Sequence, residues 1–382
     1  MIYFDNNATT MLAPEVLTAM MPFLEDSYGN PSSSHSFGRL ASEAVESARV
    51  LVASFLHADP SEIVFTSSGT ESDNWAIRGS MAVRPEMKHV VTTLVEHEAV
   101  RNSCRRLEHE GIRVTLLNVD HDGSFDIDTL RKSLAKDTGL VSIMLANNET
   151  GVLFPVHEIA AIIKQHSDAL FHIDAVNAAG KVSIDLSDPN IDLLSISGHK
   201  FHGPKGVGAL FVRKGTKLRP LLIGGGQEHG LRSGTEAVHQ IVGLGAAAKL
   251  ASDLKHMERV RALRDRLESG IAAAIPAAFV NGSRDQTRRL PNTSNISFEN
   301  TNGEAILARL NDLGVCVSTG SACNAAGHTV SPVLQAMNIP YARAMGSIRF
   351  SLGRYSTQEE VEFVLDKLPG IVAELRSMSA QN

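Results

Sequence analysis

Cysteine is scarce in this sequence, with three in 382 residues. So small and odd a number in a long chain does not build a disulfide framework. It points to a reducing compartment, for which the cytoplasm is the default. No apolar run approaches the roughly 18 residues that would suggest a membrane span. A basic excess is missing too: 36 Lys and Arg against 42 Asp and Glu give a net charge of −6. A chain of that charge has no bulk attraction for nucleic acid or anionic lipid, so neither direct nucleic-acid binding nor membrane association is expected. The N-terminus, Met1-Ile2-Tyr3-Phe4-Asp5-Asn6-Asn7, carries an acid where a secretion signal has a basic start and then an apolar stretch. Repeats and low-complexity tracts are lacking. What is present is ordinary for a globular chain, 43% hydrophobic and 20% charged, which excludes wholesale disorder. The length exceeds the roughly 250–300 residues that one core usually serves, so two domains are expected.

Between about residues 60 and 215, short β-branched runs alternate with helical patterns. Seven runs read as strands: Ile63–Thr66, His89–Thr93, Arg113–Leu117, Leu140–Leu145, Leu170–Ile173, Leu193–Ile196 and Gly208–Val212. Strands separated by helices imply crossover connections and a mostly parallel sheet buried on both faces. The fold class is therefore α/β, a seven-stranded sheet between helices. After the loop Gly224-Gly225-Gly226-Gln227-Glu228-His229-Gly230, helical periodicity runs from about Thr235 to Ile275, and Pro276 ends it. One helix of that length would span on the order of 60 Å and leave one domain for the next. The remainder alternates more loosely, with strands at Thr293–Phe298, Val315–Ser318 and Ile348–Leu352 and helices from Gly303 and Thr357. It reads as a smaller α+β domain.

Three strand ends carry candidate chemistry. Ser195-Ile196-Ser197-Gly198-His199-Lys200 puts a lysine among small and polar residues where a strand stops. A surface lysine in a turn fits that pattern; so does a Schiff-base amine, which must reach an aldehyde and lose its proton near neutral pH. Phe171-His172-Ile173-Asp174 ends in a carboxylate, which suits either a helix cap or the ring nitrogen of pyridoxal phosphate. Ser67-Ser68-Gly69-Thr70 precedes a helix and suits either a cap or a phosphate. In order along one parallel sheet, the three place a phosphate cup, a ring anchor and a lysine at the edge where open α/β sheets bind ligands.

These residues lie within longer blocks: Tyr3-Phe4-Asp5-Asn6-Asn7-Ala8-Thr9-Thr10, Tyr28-Gly29-Asn30-Pro31, Phe65-Thr66-Ser67-Ser68-Gly69-Thr70-Glu71-Ser72-Asp73-Asn74, Ala146-Asn147-Asn148-Glu149-Thr150-Gly151, Ser197-Gly198-His199-Lys200, Arg232-Ser233-Gly234-Thr235, Ser318-Thr319-Gly320-Ser321-Ala322-Cys323 and Ile348-Arg349-Phe350-Ser351-Leu352-Gly353-Arg354. In this order, over nearly the whole chain, they resemble the cysteine desulfurases of the NifS/IscS family. Those are class-V aminotransferase-like enzymes of pyridoxal phosphate fold type I.

The resemblance implies a homodimer with pyridoxal 5'-phosphate as cofactor, L-cysteine as substrate, a sulfur-acceptor protein as partner and no metal. It implies an N-terminal segment, 1–15, packing with the small domain; a large cofactor-binding domain, 16–256; and a small domain, 257–382, carrying the catalytic cysteine. Lys200 would hold the cofactor and Asp174 would face its ring nitrogen. His97 would stack on the ring and move protons, and Asn177 would touch the ring hydroxyl. Gly69, Thr70, Ser197 and His199 would surround the phosphate, with Thr235 reaching over from the second subunit. Asn148 and Arg349 would bind the substrate carboxylate. Cys323 would take the sulfur as a persulfide. Taken alone, His97 also suits a core histidine, and Arg349 an ordinary salt bridge.

Context sorts the cysteines. Cys104 lies in a helical stretch facing the core or a helix interface. Cys316, in Val315-Cys316-Val317, is expected in a buried strand, where a thiol is inert. Cys323 sits in a stretch of small residues expected to form a movable loop, as sulfur transfer requires. Asn177 replaces the Gln that relatives usually carry. The residues after Cys323, and an end at Asn382 where housekeeping members run on to dock an iron–sulfur scaffold, leave open whether clusters or thio-modified nucleic acids receive the sulfur. Three rivals remain. Gly243-Leu244-Gly245-Ala246-Ala247-Ala248 fits a dinucleotide fingerprint, but no strand precedes it. A non-catalytic sulfur carrier would not need Lys200, Asp174, His97 and Arg349. A selenocysteine lyase of the same family is resembled at Ser331-Pro332-Val333-Leu334.

Overall fold

The computed structural model describes residues 1–319 and 330–379. The chain opens with β1 (Ile2–Tyr3), α1 (Pro14–Glu25) and α2 (Ser36–Leu56). It continues with β2 (Ile63–Thr66), α3 (Gly69–Ala82), β3 (His89–Thr93), α4 (Glu98–His109), β4 (Arg113–Leu117), α5 (Ile127–Ser133), β5 (Thr138–Met144) and α6 (Val156–His166). Next come β6 (Leu170–Asp174), β7 (Leu193–Ser197), β8 (Gly208–Val212), α7 (Val238–Ala251) and α8 (His256–Ala274). The last part holds β9 (Ala278–Asn281), β10 (Thr293–Phe298), α9 (Gly303–Asp312), β11 (Val315–Cys316), α10 (Pro332–Ala336), α11 (Tyr341–Ala344), β12 (Ser347–Ser351) and α12 (Gln358–Ser379). No helix among the described residues is long and apolar enough to cross a membrane.

The seven expected strands form one sheet in the order β2-β8-β7-β6-β5-β3-β4. Six run the same way; β8 alone is antiparallel to both neighbours. β5, Thr138–Met144, is buried at every residue, as a parallel strand covered by helices on both faces must be. Along β6, His172 and Asp174 face one side and Ile173 the other, the period-two alternation that aims polar groups at a single face. The large apolar cluster gathers α1, α2, α6 and α7 around this sheet.

A second cluster joins Phe4 to α8, α9 and α12 and to the antiparallel sheet β12-β10-β9. β1 pairs parallel with β11, Ile2 opposite Val315 and Tyr3 opposite Cys316, and Asp5 bridges to Ser351. The first residues thus run along the second cluster before Ala13 and Val16 enter the first.

Two sequence expectations are corrected. The continuous helix to Ile275 is two helices, α7 and α8. Asp253 breaks it: its Oδ1 accepts the Lys255 N–H at 3.0 Å, and the backbone turns before Met257 N–H bonds to the Leu254 carbonyl at 2.8 Å. An Asp side chain that captures a nearby amide competes with the helical ladder. Cys316 is half-buried rather than buried, because its strand is a two-residue ribbon outside the main sheets. The dinucleotide-like glycines lie inside α7, where a Cβ on Gly245 would stand 2.8 Å from the Ala48 Cα of α2. They serve close helix packing.

Candidate active site

The loops leaving the C-terminal ends of five of the six co-directional strands, β2, β3, β5, β6 and β7, converge on a cavity of about 320 Å³. Ser68, Gly69 and Thr70 follow β2; His97 follows β3; Asn148 follows β5; Asp174 and Asn177 stand at the end of β6; Ser197, His199 and Lys200 close β7. Arg349 reaches the same space from β12, and Asn7 and Ala8 line it from the N-terminal segment. A larger cavity, about 630 Å³, opens on the other face of the sheet beside Ile173. Apolar side chains such as Phe125, Leu145 and Phe154 dominate its lining, and it contains none of these site residues.

One end of the site is built for an anion. α3 begins there, with Ser68 as its cap: the Ser68 Oγ accepts the Glu71 N–H at 3.1 Å. The positive end of the helix dipole and the first-turn amides favour a phosphate. Glu71 would oppose it, but Arg232 Nε holds that carboxylate at 2.8 Å and Ser67 also donates to it. Burial, and after it the charges of Lys200, Lys205 and Lys181, hold the pKa of His199 down at about 4. The lysines beside it are of the sign that suits a phosphate.

The other end is built around buried carboxyl groups. Asp174 Oδ1 accepts the Val176 N–H at 2.9 Å. Burial pushes the Asp174 carboxyl above its usual range, against the pull of His97 and Lys200. Burial and the charge of Asp174 raise Asp73 as well, and burial lifts Glu96 to about 8. Behind them His172 bridges Ser142 Oγ at 2.8 Å and Ser195 Oγ at 2.9 Å, and burial holds it neutral with a pKa of about 3. His97 caps α4, its Nδ1 accepting the Ala99 N–H at 3.1 Å. A neutral imidazole so bonded carries its hydrogen on Nε2, an assignment made from this bond.

Lys200 Nζ donates to the Asn7 carbonyl at 2.5 Å and to the Ala8 carbonyl at 3.0 Å. Arg349 donates from Nη1 to the Asn148 carbonyl at 3.0 Å and from Nη2 to Asp5 Oδ1 at 2.7 Å. The turn after β5 is fixed by Asn147, whose Oδ1 accepts the amides of Glu149 and Thr150.

Ten of the twelve residues singled out from the sequence therefore line this one cavity: Gly69, Thr70, His97, Asn148, Asp174, Asn177, Ser197, His199, Lys200 and Arg349. Thr235 does not; it is exposed at the end of the glycine-rich loop. Cys323 lies outside the described residues, as does the rest of 320–329. Cys104 is buried, its thiol pushed up to about 12 by burial and by Glu96 and Glu108. Sequence reasoning assigned no role to Asp5, Asn7, Asp73 or Lys181. The polar run Asp5-Asn6-Asn7 and the four-residue step from Asn177 to Lys181 were the available signals.

The donor set fits pyridoxal phosphate. It offers a cationic, amide-rich end for a phosphate and a buried carboxyl in need of a cationic partner, which a ring nitrogen supplies. It also holds a buried Asn177 Nδ2 that finds no hydrogen-bond partner among the described residues.

The comparisons agree. The aminotransferase class-V family matches residues 2–364. A cysteine desulfurase of Trichormus azollae is 53% identical over 99% of this chain and 94% of its own length. The cysteine desulfurase NifS of Azotobacter vinelandii is 50% identical with the same coverage of each chain. A solved NifS-like protein superposes with a TM-score of 0.92 at 40% identity, covering 98% of this chain and 100% of its own. This chain belongs to the class-V aminotransferase family and, within it, to the pyridoxal-phosphate-dependent cysteine desulfurases of the NifS type.

Proposed function

We propose that this enzyme moves the sulfur of L-cysteine onto Cys323 as a persulfide, releases L-alanine, and passes the sulfur to an acceptor protein serving iron–sulfur cluster assembly or nucleic-acid thio-modification. The observation that carries the reading is the convergence of an amine (Lys200), a buried carboxyl (Asp174) and a guanidinium (Arg349) on one cavity with an anion-binding end. The names of the relatives favour sulfur over selenium.

Pyridoxal phosphate supplies the electron sink that weakens the substrate's carbon–sulfur bond. The chain's own groups do the rest. Thr70, Ser197, His199 and the start of α3 hold the phosphate, and Gly69 keeps that turn close to Val176, whose Cγ2 would meet a Cβ there at 2.4 Å. Asp174 stays ionised against the ring nitrogen. Lys200 Nζ anchors the cofactor and moves the proton of the substrate's α carbon. Arg349 grips the substrate carboxylate, a pairing that guanidinium geometry favours, with Asn148 beside it. A free thiol has a pKa of ~8.5, so Cys323 sheds its proton on approach, to the substrate amine or to His97 once its Nδ1 leaves the Ala99 N–H. Its thiolate attacks the substrate sulfur. The carbon–sulfur bond breaks, its electrons stay with carbon, and a proton completes alanine.

The working enzyme is read as a homodimer, with residues 1–15, 16–256 and 257–382 as its segment and two domains. The loop that ends at Thr235 is stiffly held. Arg49 and Glu228 pair at 2.8 Å in the interior, and Arg232 is tied to Glu71 beside the phosphate end. That loop nonetheless presents Ile223 at 87% exposure and leaves Thr235 outside its own subunit's cavity. A second copy both covers the isoleucine and receives the threonine.

The test is incubation with L-cysteine, followed by alanine assay and mass measurement of alkylated persulfide. Alanine and a Cys323 persulfide are expected from the native protein, and neither from Lys200→Ala, which also loses the yellow colour. A colourless native protein, or a yellow Lys200→Ala protein with no added amine, contradicts the reading.

A further inference from the structure

A buried lysine outside the assigned machinery lies against one of its members. Lys181 is 5% exposed, yet it is a lysine with no carboxylate against its amine. Its Nζ donates instead to the Asn177 backbone carbonyl at 2.7 Å and to the Asn177 side-chain Oδ1 at 3.2 Å. The turn between them is tight. Lys181 N–H bonds to the Ala178 carbonyl at 3.0 Å, and Gly180 takes a φ of 73°, which bends the chain back under Asn177. A side chain at Gly180 would also meet Phe201 Cβ at 2.6 Å. Burying an amine is costly and needs a return in hydrogen bonds or function.

The return lies at the other end of the amide. Asn177 is itself buried and lines the cavity. The bond from Lys181 orients the amide, because a rotated amide would take Oδ1 away from the Lys181 donor. Nδ2 is thereby directed away from Lys181, and this buried nitrogen has no hydrogen-bond partner among the described residues. The two ends of this amide, an oxygen taken by a lysine and a nitrogen left unsatisfied at the cavity, point to an acceptor on the bound molecule.

We propose that Lys181 is a positioning residue: its amine locks the Asn177 amide so that Nδ2 presents a fixed donor to the ring oxygen of pyridoxal phosphate. The inference rests on the cofactor site read above. It deepens that reading by giving the short Asn a built support where a longer amide would reach further unaided. A donor held on the ring oxygen favours its ionised form. Losing the lock therefore weakens cofactor binding and raises the pH at which the bound cofactor's visible absorption changes.

The experiment uses full-length apoprotein refilled with pyridoxal phosphate. It measures the cofactor dissociation constant and the pH midpoint of the visible absorption for native protein, Lys181→Met, Asn177→Leu and the double variant. Lys181→Met keeps side-chain length, and Asn177→Leu keeps the side chain's shape and removes its donor; neither adds a charge or opens a cavity. Each single variant should weaken binding roughly tenfold, the scale of a hydrogen bond to a charged acceptor. Lys181→Met should raise the midpoint by about half a unit to one unit, and the double variant should be little worse than either single one. Lys181→Met with native affinity and midpoint overturns the positioning role, as does full additivity in the double variant. Weakening by Lys181→Met without weakening by Asn177→Leu also overturns it, because the lysine would then act by another route. Native apoprotein that takes up no cofactor overturns the site reading itself and this inference with it.

Discussion

Arg349 Nη2 donates to Asp5 Oδ1 at 2.7 Å, joining residues 344 positions apart in sequence. The Arg349 side chain is 5% exposed, and its other terminal nitrogen is held by the Asn148 carbonyl at 3.0 Å. The guanidinium is thus aimed before any substrate arrives. Pre-set geometry of this kind lowers the ordering cost of binding.

Asp5→Asn should therefore raise KM for L-cysteine roughly three- to tenfold, the range for a partly buried, charge-assisted hydrogen bond. It should leave kcat within about twofold. Steady-state kinetics decide it. An unchanged or lowered KM would mean that Asp5 does not position Arg349 and instead competes with the substrate carboxylate.

Stability should respond to pH through Glu149. This buried carboxyl accepts a hydrogen bond from Ser331, and burial lifts its pKa from 4.5 to about 7, against the pull of Ser331, Arg349 and Arg101. A raised acid is protonated in the folded state where the unfolded chain has already lost the proton. Its favourable contribution is therefore full below about 4.5 and is lost as pH rises toward 7. Each pH unit in that window changes stability by about 1.4 kcal/mol for one proton. Glu149→Gln removes the titration and keeps an acceptor for Ser331. The melting temperature of the variant minus that of the native protein should rise from pH 5 to pH 7.5. A difference that stays constant across that range contradicts the assignment.

Much of this site was legible in the sequence because a parallel sheet delivers its strand ends to one edge. Thr70, Asp174 and Lys200 each follow a recognisable strand, so the series of parallel strands placed them at one edge; His97 came only from the family resemblance. The break between α7 and α8 was hidden because apolar periodicity runs on through Ala251-Ser252-Asp253-Leu254, and only the Asp253 side chain interrupts the ladder. Cys316 looked buried because its neighbours Val315 and Val317 are, yet its strand is an isolated pair. Asp5 carried no local sign of its partner, since the contact depends on β12 meeting the N-terminal segment. Lys181 was given no role from the sequence, since its burial comes from tertiary packing that composition does not encode.

The subunit arrangement has a direct check. Ile223 and Thr235 project from a firmly anchored loop, so the enzyme should sediment as a dimer at assay concentration. Ile223→Asp should shift it toward monomer and weaken cofactor retention, because the second subunit's Thr235 is withdrawn. A native monomer with full activity is the contrary result.

The central claim, that Cys323 is the sulfur acceptor within the enzyme, is tested most directly by mixing Cys323→Ser protein with L-cysteine. Spectrum, alanine and protein-bound persulfide are then recorded together. In the proposed mechanism cofactor binding and the early steps use Lys200, His97, Asp174 and Arg349, so the spectral change on adding cysteine should persist. Alanine should stay at background and no persulfide should appear, because Cys104 is buried with a thiol pushed up to about 12 and Cys316 lies half-buried on β11. Alanine formed at the native rate, with a persulfide on Cys104 or Cys316, would contradict the account.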